Sequence, residues 1–221
     1  MALIVFAGKK GSGKDSAAEA LMERYKFTRI AMADPLKEMC SEVFKIPMIN
    51  FHDRVLKEKL FDEPIVIDYL DIDEIRKWLT SKGIDITYEM REAMEEIGHN
   101  HKIYSIRGLL VFVGTDLIRH NVNPDVWLNL ALDKIKDTEK HVVVTDARFE
   151  NERRALKQIG GVICLVKRPG LMDESTHETE NSLGDEDSYD VIFDNVGTLN
   201  AFQSNVTMWL TLRRDSLGIK Y

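Results

Sequence analysis

The chain has few of the features that mark secreted, membrane-spanning or metal-binding proteins. Its 221 residues include only two cysteines, too few for a disulfide framework and without the paired spacing of a zinc site. No apolar run approaches the ~20 residues that cross a bilayer. The opening run, residues 2–7, is shorter than the core of a signal peptide. These absences predict a cytoplasmic protein with no membrane partner.

Positive charge is also scarce, because 30 lysine and arginine residues face 37 aspartate and glutamate residues, which gives a net charge of −7. Such an acidic chain is poorly suited to binding polymeric nucleic acid. It lacks an Asn-Lys-x-Asp signature of guanine binding after a strand, and it has no internal repeat. With 44% hydrophobic residues it can bury one sizeable core, so we expect residues 1–221 to form a single domain.

The chain does have a glycine-rich turn, GKKGSGKDS over residues 8–16, which follows the first apolar run and precedes a helical pattern. Glycines let backbone N–H groups converge on an anion, and the helix N-terminus adds unpaired N–H groups and partial positive charge. Lys14 occupies the place from which a P-loop lysine reaches the β- and γ-phosphates. The order of strand, glycine turn, lysine and helix therefore predicts a nucleoside triphosphate site.

One position in this turn departs from the usual pattern. The residue after the lysine is Asp15 instead of the serine or threonine that ligates magnesium, and Ser16 follows it. A carboxylate beside Lys14 can orient the lysine or hold Mg²⁺ through water, but it also adds negative charge beside the phosphates. We therefore expect a strict magnesium requirement, with Asp15 and Ser16 organising the ion.

Apolar runs that predict strands alternate with helical patterns along most of the chain, at residues 2–7, 27–31, 141–145, 162–166 and 191–193. Continuous apolar runs are typical of parallel strands that are buried on both faces. The expected fold is α/β, a three-layer sandwich with a mainly parallel sheet of about five strands. Residues 50–102 interrupt the alternation with charged helical patterns, which we interpret as a helical insertion that forms a substrate-binding or lid region.

Several residues outside the turn allow both a functional and a structural interpretation. Asp146 and Arg148 follow an apolar strand, and ligands bind at the carboxyl ends of parallel strands. Gly114 interrupts a helix, which indicates the close approach of a ligand or of another helix. Arg54 could clamp a phosphate or be solvated on a charged face. Trp127 fits a core position better than a base-stacking one.

Taken in order, these blocks resemble the bacteriophage deoxynucleoside monophosphate kinase family. The blocks that carry the resemblance are Gly8–Ser16, Asp34-Pro35-Leu36-Lys37, Arg107 with Gly114-Thr115-Asp116 and Trp127, Asp146-x-Arg148-x3-Glu152, Arg168-Pro169-Gly170, Thr176-His177-x2-Glu180, and Asn195-x-Gly197-Thr198-Leu199. The resemblance spans most of the chain and is weakest over residues 50–102. It implies an enzyme that uses ATP and Mg²⁺ to phosphorylate (deoxy)nucleoside monophosphates for deoxynucleotide supply, in the host cytoplasm if viral, and it suggests a homodimer.

The resemblance also implies which residues bind each nucleotide. For ATP these are Lys10, Gly11, Ser12, Gly13, Lys14, Asp15, Ser16, Asn195 and Gly197. For the monophosphate they are Leu36, Lys37, Arg54, Arg107, Gly114, Thr115, Trp127, Asp146, Arg148 and Glu152. The candidate catalytic residues are Lys14, Asp15, Arg107 and Arg148, since phosphoryl transfer depends on positioning and charge stabilisation. Gly11 replaces an arginine that is common in the family, so Lys9 or Lys10 would have to supply that charge.

Two other interpretations stay open at this point. Small-metabolite P-loop kinases of the dephospho-coenzyme A or phosphomevalonate type share the layout, and the latter type can also carry aspartate after the lysine. A regulatory module that binds a nucleotide and hydrolyses little belongs to a different class, although the several arginines argue against it. A panel of phosphate acceptors distinguishes the three.

Overall fold

The computed structural model describes residues 1–147, 149–171 and 183–219. Contacts among its Cα atoms divide the chain into two compact units, Met1–Met32 with Leu132–Tyr221, and Ala33–Ala131. We call these the sheet unit and the inserted unit, and we describe each by itself. Among the described helices, none combines the length and apolar character needed to cross a membrane.

The described elements follow one another as a mixture of strands and helices. The strands are β1 (Leu3–Ala7), β2 (Thr28–Arg29), β3 (Leu60–Val66), β4 (Lys102–Ser105), β5 (Val142–Val144), β6 (Val162–Lys167) and β7 (Val191–Asp194). The helices are α1 (Lys14–Tyr25), α2 (Asp34–Val43), α3 (Met48–His52), α4 (Arg54–Glu58), α5 (Tyr69–Ser81), α6 (Tyr88–Gly98), α7 (Ile106–Val111), α8 (Val126–Lys136), α9 (Glu150–Gln158) and α10 (Leu199–Arg213). A π-helical segment (Phe112–Arg119) continues α7, and a 3₁₀ turn (Glu186–Ser188) precedes β7.

The sheet unit is built on a five-stranded sheet in the order β2-β5-β1-β6-β7. Every neighbouring pair is parallel, and Val5 of the central strand lies opposite Val144 on one side and Ile163 on the other. The predicted α/β fold with a parallel sheet of about five strands is confirmed. Parallel strands end at the same edge, so the turn after β1 and the segment after β5 lie at one edge of the sheet.

Both faces of this sheet are covered. On one face Phe6 packs in a core cluster with Leu21 of α1 and Phe202 of α10. Side chains alternate along a strand, so Val5 points to the opposite face, and it is fully buried as well. Burial on both sides explains why the strands are continuous apolar runs without polar alternation.

The inserted unit has its own apolar core, formed by helices α2, α5 and α7 and the π-helical segment, among others. The helical patterns predicted within residues 50–102 are confirmed by α5 and α6, among other helices. The structure adds an antiparallel pair, β3 with β4, within a region for which we predicted helices alone. Pro64 and the acidic residues before it hid this strand, because proline lacks a ladder donor and is confined to edges and bulges. The role of residues 50–102 as a lid stays a prediction.

Candidate active site

The turn after β1 has a backbone that only glycine accepts without strain. Gly8, Gly11 and Gly13 have φ values of +145°, +80° and +109°. A Cβ atom on Gly8 would lie closer than 3.0 Å to the backbone oxygen of Val166, and one on Gly13 would be as close to the side-chain nitrogen of Asn195. Two reasons therefore require glycine at positions 8 and 13: the positive φ value and the lack of room for a Cβ atom.

Lys14 begins α1 and folds back over this turn. Its ammonium group donates hydrogen bonds to the backbone oxygens of Gly8, at 2.6 Å, and of Lys9, at 2.7 Å. Gly13 is the N-cap residue and provides no side chain, so the cap leaves backbone N–H groups of the first turn to other partners. A cation and a helix N-terminus thus lie together at the mouth of the glycine turn.

Side chains from later in the chain donate hydrogen bonds to backbone carbonyl groups of this segment. The Asn195 side chain donates to the backbone oxygen of Ser12 at 2.8 Å, and the Gln203 side chain donates to that of Ser16 at 3.1 Å. Arg168 makes a longer contact, 3.5 Å, with the backbone oxygen of Gly11. These contacts hold the backbone of the turn in place, and a glycine-rich backbone ahead of a helix N-terminus suits an anion.

Two buried hydroxyl groups near the carboxyl edge of the sheet make no hydrogen bond within the part of the chain that the structure describes. They belong to Ser12, which is fully buried, and to Thr145, which is 3% exposed. Ser12 lies in the glycine turn, and Thr145 directly follows β5, the neighbour of β1. A buried polar group without a partner is uncommon and points to a water molecule or a ligand atom nearby.

Asp15 and Ser16 follow Lys14 in the first turn of α1. The Asp15 carboxylate forms an ion pair with Arg29 of β2 at 3.1 Å, with both side chains 45% exposed. Carboxylate and hydroxyl oxygens are the donors that a hard cation such as Mg²⁺ prefers, so the residues present fit that ion together with nucleotide phosphates. Groups of three or more histidine, cysteine, aspartate or glutamate residues able to hold a metal by themselves are absent from the described residues.

The segment after β5 positions two of the predicted acidic residues. Asp146 accepts a hydrogen bond from the backbone N–H of Met32 at 2.9 Å, which ties this segment to the chain that leaves β2. Glu152 is 6% exposed and accepts from the backbone N–H of Phe149 at the start of α9. Glu152 therefore has a capping role in the structure. Arg148 lies outside the described residues, as do Thr176, His177 and Glu180.

In the inserted unit the structure brings three predicted residues together. A Cβ atom on Gly114 would lie 2.5 Å from a methyl carbon of Leu36, and the Trp127 indole N–H donates to the backbone oxygen of Gly114 at 2.9 Å. Leu36 and Trp127 are buried in the unit's core. Glycine at 114 is thus explained by close packing of Leu36 on the π-helical segment, the structural one of the two interpretations of that position.

Two of the predicted cations of the inserted unit, Lys37 and Arg107, have acidic partners. Lys37 pairs with Asp34 at 2.9 Å on α2, and Arg107 of α7 pairs with Glu58 of α4. Thr115 is exposed on the π-helical segment. Arg54 begins α4, and its side chain lies outside what the structure describes.

Of the remaining residues implied for ATP, Lys10 and Gly11 are exposed at the tip of the turn. Gly197 has φ of +85°, and a Cβ there would meet nothing within 4 Å. Asn195 supports the glycine turn directly, a contact that the sequence did not predict. Arg29 and Gln203 were missed, because no local pattern places an arginine of one strand or a glutamine of the last helix beside the turn.

Thiol chemistry has no place in this site. Cys40 and Cys164 are both fully buried. Burial raises the pKa of both thiols, and for Cys164 the nearby Asp190 carboxylate adds to the rise. Neither cysteine is a nucleophile at neutral pH.

Comparison with known proteins decides the family. The sequence profile described as deoxynucleotide monophosphate kinase matches residues 65–206, well over half of the chain. The chain belongs to the deoxynucleotide monophosphate kinase family. The match begins beyond the glycine turn, so the turn and the profile are separate observations.

Relatives of this family member extend over nearly its whole length. A chain of Acanthamoeba polyphaga mimivirus is 30% identical over 218 residues, covering 93% of this chain and 94% of the relative. The deoxynucleotide monophosphate kinase of Enterobacteria phage T4 is 28% identical, and the match covers 93% of this chain and 97% of that protein. The deoxynucleotide monophosphate kinase of Escherichia phage RB69 is 25% identical, and the match covers 93% of this chain and 98% of that protein.

Solved structures align more loosely. A gluconokinase from Sinorhizobium meliloti 1021 aligns with a TM-score of 0.41 at 15% identity, covering 98% of this chain and 95% of that chain. TT1252 from Thermus thermophilus aligns with a TM-score of 0.40 at 15% identity, covering 96% of this chain and 98% of that chain. The strand order of the protein itself establishes the fold class.

Proposed function

We propose that this member of the deoxynucleotide monophosphate kinase family transfers the γ-phosphoryl group of ATP to the phosphate of a deoxynucleoside monophosphate, yielding a deoxynucleoside diphosphate and ADP. The observation that carries the proposal is the glycine turn with Lys14 at the start of α1, in a chain of this family. The relatives from phages T4 and RB69 are named for this activity. The product feeds deoxynucleotide supply.

The glycine turn supplies the ATP site in this proposal. Its N–H groups and the N-terminus of α1 hold the phosphates, and Lys14 moves from the turn's own carbonyl groups to the β- and γ-phosphates. The side chains of Asn195 and Gln203 stabilise the turn by donating hydrogen bonds to its backbone oxygens. The ATP residues that we propose are Lys10, Gly11, Ser12, Gly13, Lys14, Asp15, Ser16, Asn195 and Gly197.

The phosphate of the acceptor nucleotide is already an anion. Phosphoryl transfer to it therefore needs cations more than it needs a general base. Arg107 and Arg148 are the candidates beside Lys14 for neutralising charge as the phosphoryl group moves between oxygens. Support for this role comes from the family match, which includes both arginines. The residues that we propose for the acceptor are Leu36, Lys37, Arg54, Arg107, Gly114, Thr115, Trp127, Asp146, Arg148 and Glu152.

Asp15 and Ser16 would hold Mg²⁺ together with the nucleotide phosphates. The ion would supply positive charge that offsets the charge of the phosphates during transfer. The protein's own part is to place an acidic and a hydroxyl oxygen one after the other in the first turn of α1.

The proposed partners are therefore small nucleotides, and the proposed location is the cytoplasm, of the host if the protein is viral. A homodimer is supported only by the family resemblance. Sedimentation of the purified chain across a range of concentrations tests that point independently of activity.

The function is tested by ADP release in a coupled assay, with ATP, Mg²⁺ and each acceptor in turn. The panel contains all deoxynucleoside and ribonucleoside monophosphates, dephospho-coenzyme A and phosphomevalonate. We expect ADP release with one or more deoxynucleoside monophosphates and only background without an acceptor. Turnover with only dephospho-coenzyme A or only phosphomevalonate would contradict the proposed acceptor and identify that compound as the acceptor instead. ATP binding without turnover of any acceptor would indicate a regulatory module.

A further inference from the structure

The glycine turn contains a charge problem that the sequence leaves unsolved. Asp15 directly follows Lys14 and lies in the helix turn that is proposed to receive a triphosphate. Most such turns carry a neutral hydroxyl there. A carboxylate near a polyanion is repelled unless a cation lies close to it, since unit charges a few ångströms apart interact by about 1 kcal/mol even in water.

The structure supplies a cation from another strand. The guanidinium group of Arg29 lies 3.1 Å from the Asp15 carboxylate. Arg29 is the last residue of β2, the edge strand of the sheet. Strand β2 pairs in register with β5, with Arg29 opposite Val143, which fixes where the arginine emerges.

This ion pair is a poor stabiliser of the fold. Both side chains are 45% exposed, and exposed pairs of this kind typically contribute ~0–1 kcal/mol. Its effect on the local charge at the turn is the more relevant one, because Asp15 directly follows Lys14. Pairing with Arg29 offsets the Asp15 charge beside Lys14, at the turn that an incoming anion meets.

We propose that Arg29 is a positioning residue that neutralises Asp15, so that the turn accepts ATP even before a metal ion arrives. The inference rests on the ATP site proposed above. It implies that the two residues act as one unit, since removal of Arg29 takes a cation away from the Asp15 carboxylate and removal of both takes the carboxylate away as well. Mg²⁺ can replace the missing positive charge, so the loss of Arg29 matters most when metal is absent.

The test is ATP binding by titration calorimetry on the wild type, Arg29→Ala, Asp15→Asn and the double variant, each with EDTA and again with saturating Mg²⁺. We expect Arg29→Ala to weaken ATP binding about tenfold in EDTA and less with Mg²⁺. The double variant should bind within about twofold of the wild type in EDTA, because the repelling charge is gone. Arg29→Lys, which keeps the charge, should bind like the wild type.

Arg24→Ala is the matched control, because it removes an exposed arginine from the other end of α1 and should leave ATP binding unchanged. Thermal unfolding of all variants separates loss of affinity from loss of fold. A double variant as weak as Arg29→Ala would overturn the inference and indicate that Arg29 binds the nucleotide itself. Unchanged binding by Arg29→Ala in both conditions would also overturn it. A wild type that binds no ATP under either condition would instead refute the proposed function.

Discussion

Two parts of the candidate site differ in how well the sequence predicts their geometry. They are the glycine turn of the sheet unit and the predicted acceptor residues of the inserted unit. In the turn, neighbouring residues are forced into one cradle by positive φ values and by the lack of room for a Cβ. In the inserted unit, Leu36, Gly114 and Trp127 come from separate elements and meet as packed core groups. A contiguous motif thus predicts the geometry of its own residues. Residues that are dispersed along the chain can come together to bind a ligand, to form a core or to do both.

The largest effect should follow from removing the cation of the turn. Lys14→Met keeps the length of the side chain and should lower kcat by about a thousandfold, because the transition-state charge loses its nearest donor. Lys136→Met is the control, since Lys136 is exposed on α8 and pairs only locally with Asp133. Steady-state kinetics with a deoxynucleoside monophosphate measures both. Similar kcat values for the two variants would remove Lys14 from the chemistry.

The next effect separates backbone strain from steric conflict in the turn. Gly13→Ala places a methyl group against the Asn195 side chain at a φ of +109°, so we expect kcat/KM for ATP to fall about a hundredfold. Gly160→Ala has a similar φ of +89° but nothing within 4 Å. It should cost only ~1–2 kcal/mol of stability and leave kinetics intact. Equal kinetic losses would mean that the contact with Asn195 is unimportant.

A smaller effect tests whether the inserted unit's core group also serves the acceptor. Trp127→Phe keeps the ring but loses the hydrogen bond to the Gly114 oxygen, so we expect about 1 kcal/mol less stability. We also expect a KM for the deoxynucleoside monophosphate raised a few-fold, with the KM for ATP unchanged.

Trp78→Phe is matched to this change, because Trp78 is equally buried in the same core and its indole N–H has no hydrogen-bond partner among the described residues. It should lose less stability than Trp127→Phe, because both changes remove the same ring volume but only Trp127→Phe removes a hydrogen bond, and it should leave the KM unchanged. Loss of stability in Trp127→Phe without any change in acceptor KM would make Trp127 a purely structural residue.

The smallest effect concerns the sheet unit away from the turn. Burial, with a smaller contribution from the positive amino terminus, lowers the pKa of His141 below its ordinary value of 6.5. Neutral His141 accepts a hydrogen bond from the backbone N–H of Ala2 at 2.9 Å. A lowered pKa means that stability is present above about pH 6.5 and is lost as the pH falls towards the folded-state pKa.

His141→Gln keeps an acceptor but cannot titrate, so its urea midpoint should fall less than that of the wild type between about pH 7 and about pH 5.5. The same pH dependence in both proteins would show that His141 carries no part of the linkage.

Most of the fold could be predicted because its signals are local. The apolar runs of the sheet appear in the structure where the sequence placed them. The helix starts are local as well, since the hydroxyl of Ser105 accepts from the Gly108 N–H and that of Thr198 from the Ala201 N–H. Strand β3 was missed because Pro64 and its acidic neighbours disguise a strand whose pairing depends on a partner far along the chain.

The site could be predicted only in part, for the same reason. The glycine turn follows from consecutive residues, but the Asp15–Arg29 pair depends on the strand order that brings β2 to the edge of the sheet. The Asn195 contact with Ser12 likewise requires β7 to end beside the turn. Such contacts are products of topology, which no local pattern contains.

The most direct test of the account is transfer of γ-labelled phosphate from ATP to a deoxynucleoside monophosphate, compared between the wild type and Lys14→Met. The account predicts that the wild type places the label on a deoxynucleoside diphosphate and that the variant does so about a thousandfold more slowly. Label released only as inorganic phosphate, or undiminished transfer by Lys14→Met, would contradict it.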